Sequence, residues 1–302
     1  TKRVLGNCIT CMRHNLKLLD GPFLARASGS GVYSITSPTD IPDLYTWLDS
    51  ENGPKDAAGD PITVDATAVQ TWTDQAGSGI TPFAAGAANR PTWTDTIVNG
   101  HAVVRFDGVN HYLYQTGATL AQPQTMFAVL KLNAVGIAAK TLFGGKAANN
   151  WDINIEATYN NIGLWVGGGS TAPISQPTLD WLIIAVVWNG ASTKYAVNTT
   201  TLTTSSIALI ASSFGGLSVG SGWPGSPLQS MDVAEFIWYN GEKTSAQIVA
   251  MINYLSSKYA ISLVEIPYGV KAYDTFESYE TNSELNGLNG GTGFNSSPWV
   301  DR

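Results

Sequence analysis

Short apolar stretches, each broken off by Gly, Pro or Asn, run through the middle of this chain. AVQTWTDQ, HAVVRFDG, HYLYQT, TMFAVLKLN, KTLFGGK, WDINIEA, NIGLWVGGG, DWLIIAVVWNG, KYAVNTT and DVAEFIWYN follow one another between positions 68 and 240. All are rich in β-branched and aromatic residues, and several alternate apolar with polar, the period of a strand with one face buried. TMFAVLKL is apolar on both faces: Met126, Ala128 and Leu130 share one side, Phe127 and Val129 the other. That pattern predicts a central strand covered from above and below. One segment switches to helical spacing. In KTSAQIVAMINYLSSKYAI, Ile248, Met251, Ile252, Leu255 and Tyr259 fall on one stripe, and Thr244 or Ser245 supplies the N-cap with Gln247 behind it.

The flanks lack such patterns. Val4 to Ser37 shows no sustained period and is interrupted by GPF and SGSG, and Tyr268 to Arg302 is polar, rich in Gly and Asn, with isolated aromatics. The expected organisation is an extended N-terminal arm over 1–40, a β-sandwich over 41–263 and a C-terminal tail or docking strap over 264–302. Composition agrees: of 302 residues, 44% are hydrophobic, enough for a large core, and only 13% are charged, too few for a surface of long, ion-paired helices.

The formal charge of −7 argues against nucleic acid as a partner and against anionic lipid. It is unevenly spread. Residues 1–26 carry Lys2, Arg3, Arg13, Lys17 and Arg26 against Asp20, a net +4 on a body of −11, which reads either as an attachment segment or as a solvated terminus. The longest apolar run, Trp181 to Trp188, is far too short to span a bilayer, so no membrane insertion is expected.

Cys8 and Cys11 form a CxxC pair with His14 three residues on. They are three of the four ligands a structural zinc needs, and His101 and His111 lie far off in the strand-rich region, so a zinc site here requires a ligand from another chain. Plain thiols are the default, and no cofactor is expected.

At this point the order of segments becomes recognisable. VQTWTDQAGSG, RPTW, NGHAVVRFDGVNHYL, TMFAVLKL, WLIIAVVWNGASTKYAVN and DVAEFIWYNGEKTSAQIVAMINYLSSKYAI together resemble the concanavalin A-like (laminin-G-like) lectin/glucanase domains of bacteriophage structural proteins and bacterial surface proteins. The resemblance covers about Ile41 to Leu263 and implies an all-β jelly-roll sandwich with one short helix. Separately, DTFESYETNSELNGLNGGTGF, Asp274 to Phe294, resembles a segment recurring in phage virion proteins. There it often opens a further β-domain; here about eight residues follow, which favours a strap.

Glucanases of this sandwich class carry two carboxylates about 5 to 5.5 Å apart on one strand face, in an E-x-D-x-E run. No such run occurs. The nearest pair, Asp232 and Glu235, has an odd spacing that places the two on opposite faces of a regular strand. No nucleophile elbow, HExxH or P-loop is present either, so the expectation is that the chain is not an enzyme. Asp107 and Asn110 in FDGVNHYL suit either calcium or a tight turn at Gly108, with the turn preferred.

Sugar binding needs aromatic faces flanked by amide and carboxylate groups. Trp223, in the loop GSGWPGSP, and Trp165, just before GGGS, are the candidates, while Trp47, Trp72, Trp181, Trp188 and Trp238 sit in apolar runs and are expected in the core. The resulting expectation is a virion structural protein, a decoration, fibre or tail-associated component. Its arm and tail would bind other virion proteins, it would form a homo-oligomer, and its sandwich would be displayed outward. The alternative is an adhesin for host-surface glycans.

Overall fold

A computed structural model describes residues 33–77, 80–135, 140–145, 151–155, 161–167, 172–175, 177–222 and 228–264. In chain order the strands are β1 (Leu44–Asp49), β2 (Pro54–Lys55), β3 (Thr67–Ala68), β4 (Thr71–Trp72), β5 (Thr92–Val98), β6 (His101–Asp107), β7 (Leu113–Leu120), β8 (Gln124–Leu132) and β9 (Lys140–Gly144). They continue with β10 (Trp151–Ile155), β11 (Ile162–Val166), β12 (Ala172–Ser175), β13 (Trp181–Trp188), β14 (Lys194–Val197), β15 (Thr203–Thr204), β16 (Phe214–Val219) and β17 (Ser230–Asn240). A single α-helix among the described residues, α1 (Ser245–Tyr259), follows.

The result is an all-β sandwich of two antiparallel sheets. The larger sheet runs β15-β14-β13-β8-β17-β6-β5-β3, with β1 also paired to β17, and the smaller runs β12-β11-β10-β9-β16-β7. β2 and β4 form a separate ribbon. Between the sheets lies the main core. Its centre is aromatic: Trp151 stacks on Phe214 at 5.5 Å and meets Trp188 and Trp238 edge-on at 6.0 and 5.6 Å.

A second apolar layer lies on the far side of the larger sheet. There Phe127, Val129, Ile183, Ile237 and Tyr239 pack against Ile248, Met251, Ile252 and Leu255 of α1. β8 is therefore buried along nearly its whole length on both faces, as its sequence predicts. The helix starts at Thr244 with a capping box: Thr244 Oγ1 accepts from Gln247 N–H at 3.3 Å, and Gln247 Oε1 accepts from Thr244 N–H at 2.9 Å.

Two sequence expectations change. Trp72, Trp188 and Trp238 are fully buried, but Trp47 and Trp181 are only half-buried, at the margin of the layer beneath α1. The second change concerns β17. One edge of this 11-residue strand pairs with β8; the other is shared, Ser230–Val233 going to β6 and Glu235–Tyr239 to β1. At the hand-over Ala234 is an extra residue, and the register against β8 slips between Val233 and Glu235. Such a bulge resets the alternation. Met231, Val233, Phe236 and Trp238 all point into the sandwich, so Asp232 and Glu235 share the opposite face despite their odd spacing.

FDGVNHYL is a turn. Asp107 Oδ1 accepts from the N–H groups of Val109, Asn110 and His111 at 2.9 to 3.0 Å, and Gly108 adopts φ +73°. Those bonds and the nearby His111 hold the Asp107 carboxyl below its ordinary value against the opposing effect of burial.

Candidate functional site

The smaller sheet has an apolar layer on one face only among the described residues, and its other face carries polar and small side chains. Alternation dictates which ones. In β10, Trp151, Ile153 and Ile155 enter the core and Asp152 and Asn154 point the other way. In β11, Ile162, Leu164 and Val166 enter, leaving Gly163 and Trp165 outside. In β16, Leu217 and Val219 enter and Ser218 does not.

Strand register then assembles residues that are distant in sequence. Trp165 pairs with Asp152, Asp152 with Gly144, Gly144 with Ser218, and Ser218 with Tyr114. Directly paired residues share a face, so these five form one row across β11, β10, β9, β16 and β7. With neighbouring strands about 4.8 Å apart, the row is roughly 19 Å long. A parallel row places Gly163, Asn154 and Thr141 beside it.

The row is aromatic at both ends. Trp165 is half-buried at one. At the other, Tyr114 stacks on Tyr112 with centroids 5.9 Å apart and lies 5.0 Å from Phe83, which is 39% exposed. Glycines let the centre of the row pack closely: Gly144 is buried and Ser218 is 0% exposed. A Cβ on Gly144 would fall on Asp152 Oδ1, and a Cβ on Gly222 would come within 2.7 Å of Thr141 Oγ1 and 3.0 Å of Asp152 Oδ1.

Within this packing lie polar atoms that the described structure leaves unsatisfied. Asp152 Oδ1, Asn154 Oδ1 and Ser218 Oγ are all buried and have no hydrogen-bond partner among the described residues. Each such atom costs about 1–3 kcal/mol, which is why native proteins carry few of them. Desolvation also pushes the Asp152 carboxyl up to about 7. The two acceptors stand on β10 and the hydroxyl on β16, with β9 between them, and the sheet holds all three stiffly.

Of the residues singled out from sequence, Trp165 lies on this face, opposite Asp152. Trp223, Cys8, Cys11 and His14 lie outside the described residues. Among the described residues no three His, Cys, Asp or Glu side chains gather as a metal site. Asp152, Asn154, Ser218, Tyr114 and Phe83 were missed by the sequence reading. A signal for the first two was present, since WDINI puts a carboxylate and an amide on one strand face.

Asp232 and Glu235, although on one face, belong to separate networks. Arg105 Nε and Nη2 donate to the two oxygens of Asp232 at 2.7 Å each, with Asn133 Nδ2 adding a bond at 2.9 Å. Glu235 is fully buried and accepts from Trp47 Nε1 at 2.7 Å, Lys258 Nζ at 2.9 Å and Tyr259 Oη at 2.7 Å. Burial raises the Glu235 carboxyl against the lowering pull of Lys258 and Tyr259. This network ties the last turn of α1 to β17 and β1.

No protein-family model and no curated protein matches the chain in sequence. Solved structures do match in fold. A mutant GH54 α-L-arabinofuranosidase soaked with 4-nitrophenyl α-L-arabinofuranoside aligns over 75% of this chain and 66% of its own, at 14% identity and a TM-score of 0.54. The binding domain of Paraclostridial Mosquitocidal Protein 1 aligns over 72% and 53%, at 11% identity and 0.50. Trypanosoma rangeli sialidase in complex with sialic acid aligns over 76% of this chain but 34% of its own, at 12% identity and 0.47, so the chain spans about a third of that enzyme. The expectation that the chain is not an enzyme is corrected by the match to the arabinofuranosidase. The sandwich is a fold that a glycosidase uses, and a missing E-x-D-x-E run does not set the chain apart from that class. The chain is a β-sandwich of the kind found in a glycosidase and in the binding domain of a mosquitocidal protein.

Proposed function

We propose that this chain is a carbohydrate-recognising β-sandwich whose binding surface is the outer face of the smaller sheet. One observation carries the reading: a half-buried tryptophan, Trp165, stands beside three buried oxygens, on Asp152, Asn154 and Ser218, that lack partners among the described residues. A sugar ring has an apolar C–H face and a rim of hydroxyls. The indole takes the first, and the half-buried carboxylate and amide of Asp152 and Asn154 beside it suit hydroxyls that both donate and accept. The strands hold these groups in place before binding, which lowers the ordering cost that weakens many polar sites. The soaked arabinofuranosidase and the toxin's binding domain, similar in fold, support the reading.

A glycan array probed with the wild-type chain and with Trp165→Ala tests it. Binding to at least one glycan that falls more than about tenfold in the variant is the expected result. Equal binding by both proteins would reject the site. Array glycans are also to be assayed for released reducing sugar, given the fold.

A second proposal concerns display. The resemblance at Asp274 to Phe294, with the basic residues of 1–26, supports attachment of the sandwich to a virion through residues 1–40 and 264–302, as a homo-oligomer. Removal of residues 1–32, which leaves every described strand intact, is expected to abolish incorporation into particles; normal incorporation would reject the arm as anchor.

A further inference from the structure

Taking the proposed carbohydrate site as its basis, we propose that it holds a single ring, the terminal residue of a glycan, and that the rest of the glycan leaves over Gly167 and Ile210. The sheet closes around the indole on two sides. Across the strands, Asp152 is followed by Gly144, which is buried: a Cβ built there would lie 3.1 Å from Gly222 Cα, and Ser218, one strand further, is 0% exposed. Along β11, the neighbour of Trp165 on the same face is Gly163, also buried. A second ring has no surface to lie on in either direction.

The third side is open. Gly167, two positions from Trp165 in the other direction along the chain, is exposed, and Ile210, 45% exposed, lies against it, its Cδ1 2.8 Å from where a Cβ would stand. A bare glycine beside an exposed aliphatic side chain gives a second ring a floor without walls. Polar groups meet the first ring on the closed side. Asp152 stands directly opposite Trp165 and Asn154 opposite Gly163, and both are half-buried: Oδ1 is the covered atom of each, while the part of each residue left in solvent borders the indole. A ring stacked on Trp165 therefore meets a carboxyl and an amide at one rim and open surface at the other. That arrangement suits a chain end, with free hydroxyls on one side and a linkage on the other. An internal ring needs an exit on both sides, and the buried Gly144 and Gly163 leave one.

The test is calorimetric titration of the full chain with methyl glycosides of neutral pentoses and hexoses, with their linear oligomers of two to six rings, and with the same oligomers capped at the free, non-reducing end by a different sugar. The expected result is a methyl glycoside that binds, a gain of about threefold from one ring to two, no further gain up to six, and a loss of at least about tenfold on capping. Ile210→Ala is expected to remove the threefold step and to leave the methyl glycoside as in the wild type. Trp165→Ala is expected to abolish binding of every probe. Affinity that climbs about tenfold or more between two and six rings, or capped oligomers that bind as well as uncapped ones, would overturn the terminal ring and leave the site standing. A step that survives Ile210→Ala would overturn the exit path. Binding that Trp165→Ala leaves unchanged, or no binding of any sugar, would overturn the site and this inference with it.

Discussion

Replacing Asp152 by Asn is the sharpest test of the physics of the outer face. In the folded chain the Asp152 carboxyl titrates at about 7, against 3.8 for the ordinary group, because burial disfavours its charge. Between those values the folded state holds a proton that the unfolded state has released. Stability therefore falls as pH rises from about 4 to about 7 and stays low above that window. A difference of roughly three pH units corresponds to up to about 4 kcal/mol. Asn has nearly the same shape and no charge to desolvate. Asp152→Asn is therefore expected to match the wild type near pH 4 and to exceed it by up to about 4 kcal/mol at pH 8, read from urea unfolding midpoints across that range. Parallel stability curves for the two proteins would refute the argument, since they would mean that Asp152 is solvated or paired after all. The gain in stability is expected to come with weaker sugar binding, the trade-off that strained functional groups show.

Other consequences follow from the same geometry. Gly222→Ala brings a methyl group against Thr141 Oγ1 and Asp152 Oδ1 and is expected to weaken glycan binding about tenfold with a smaller effect on thermal unfolding. Glu235→Ala strips Lys258 and Tyr259 of their common partner, leaving the part-buried Lys258 ammonium with only the longer contact to Asp49 at 3.9 Å, so a loss of about 3 kcal/mol is expected in urea unfolding, with little change in glycan affinity. Thr244→Ala removes the capping box of α1 and is expected to cost about 1 kcal/mol, measured in the same way.

Much of the fold was legible because local pattern and global burial agree. The alternation of WDINI, the two-sided run of TMFAVLKL and the capped helical stripe from Ser245 each state which neighbours they need. What failed was long-range. Trp47 and Trp181 look like core residues, but their burial depends on how far α1 extends over the larger sheet, which no local period encodes. The faces of Asp232 and Glu235 followed from a regular strand, and one extra residue, Ala234, placed where β17 changes partners, reversed the answer. The site illustrates the same limit. Residues 83, 114, 144, 152, 165 and 218 meet only through the order and register of five strands, so the polar half of one strand was visible and the row was not. Trp165 could be picked out because an aromatic before GGGS is unusual for a buried strand, yet its partner Asp152 lies one strand away and 13 positions earlier in the chain.

The most direct measurement is a crystal structure of the full chain soaked with a neutral linear oligosaccharide. The account predicts a ring stacked on Trp165 with hydroxyls within hydrogen-bond distance of Asp152 and Asn154. A sugar bound elsewhere, such as the cleft between Trp181, Asn198 and Tyr259, with the outer face of the smaller sheet left bare, would contradict it.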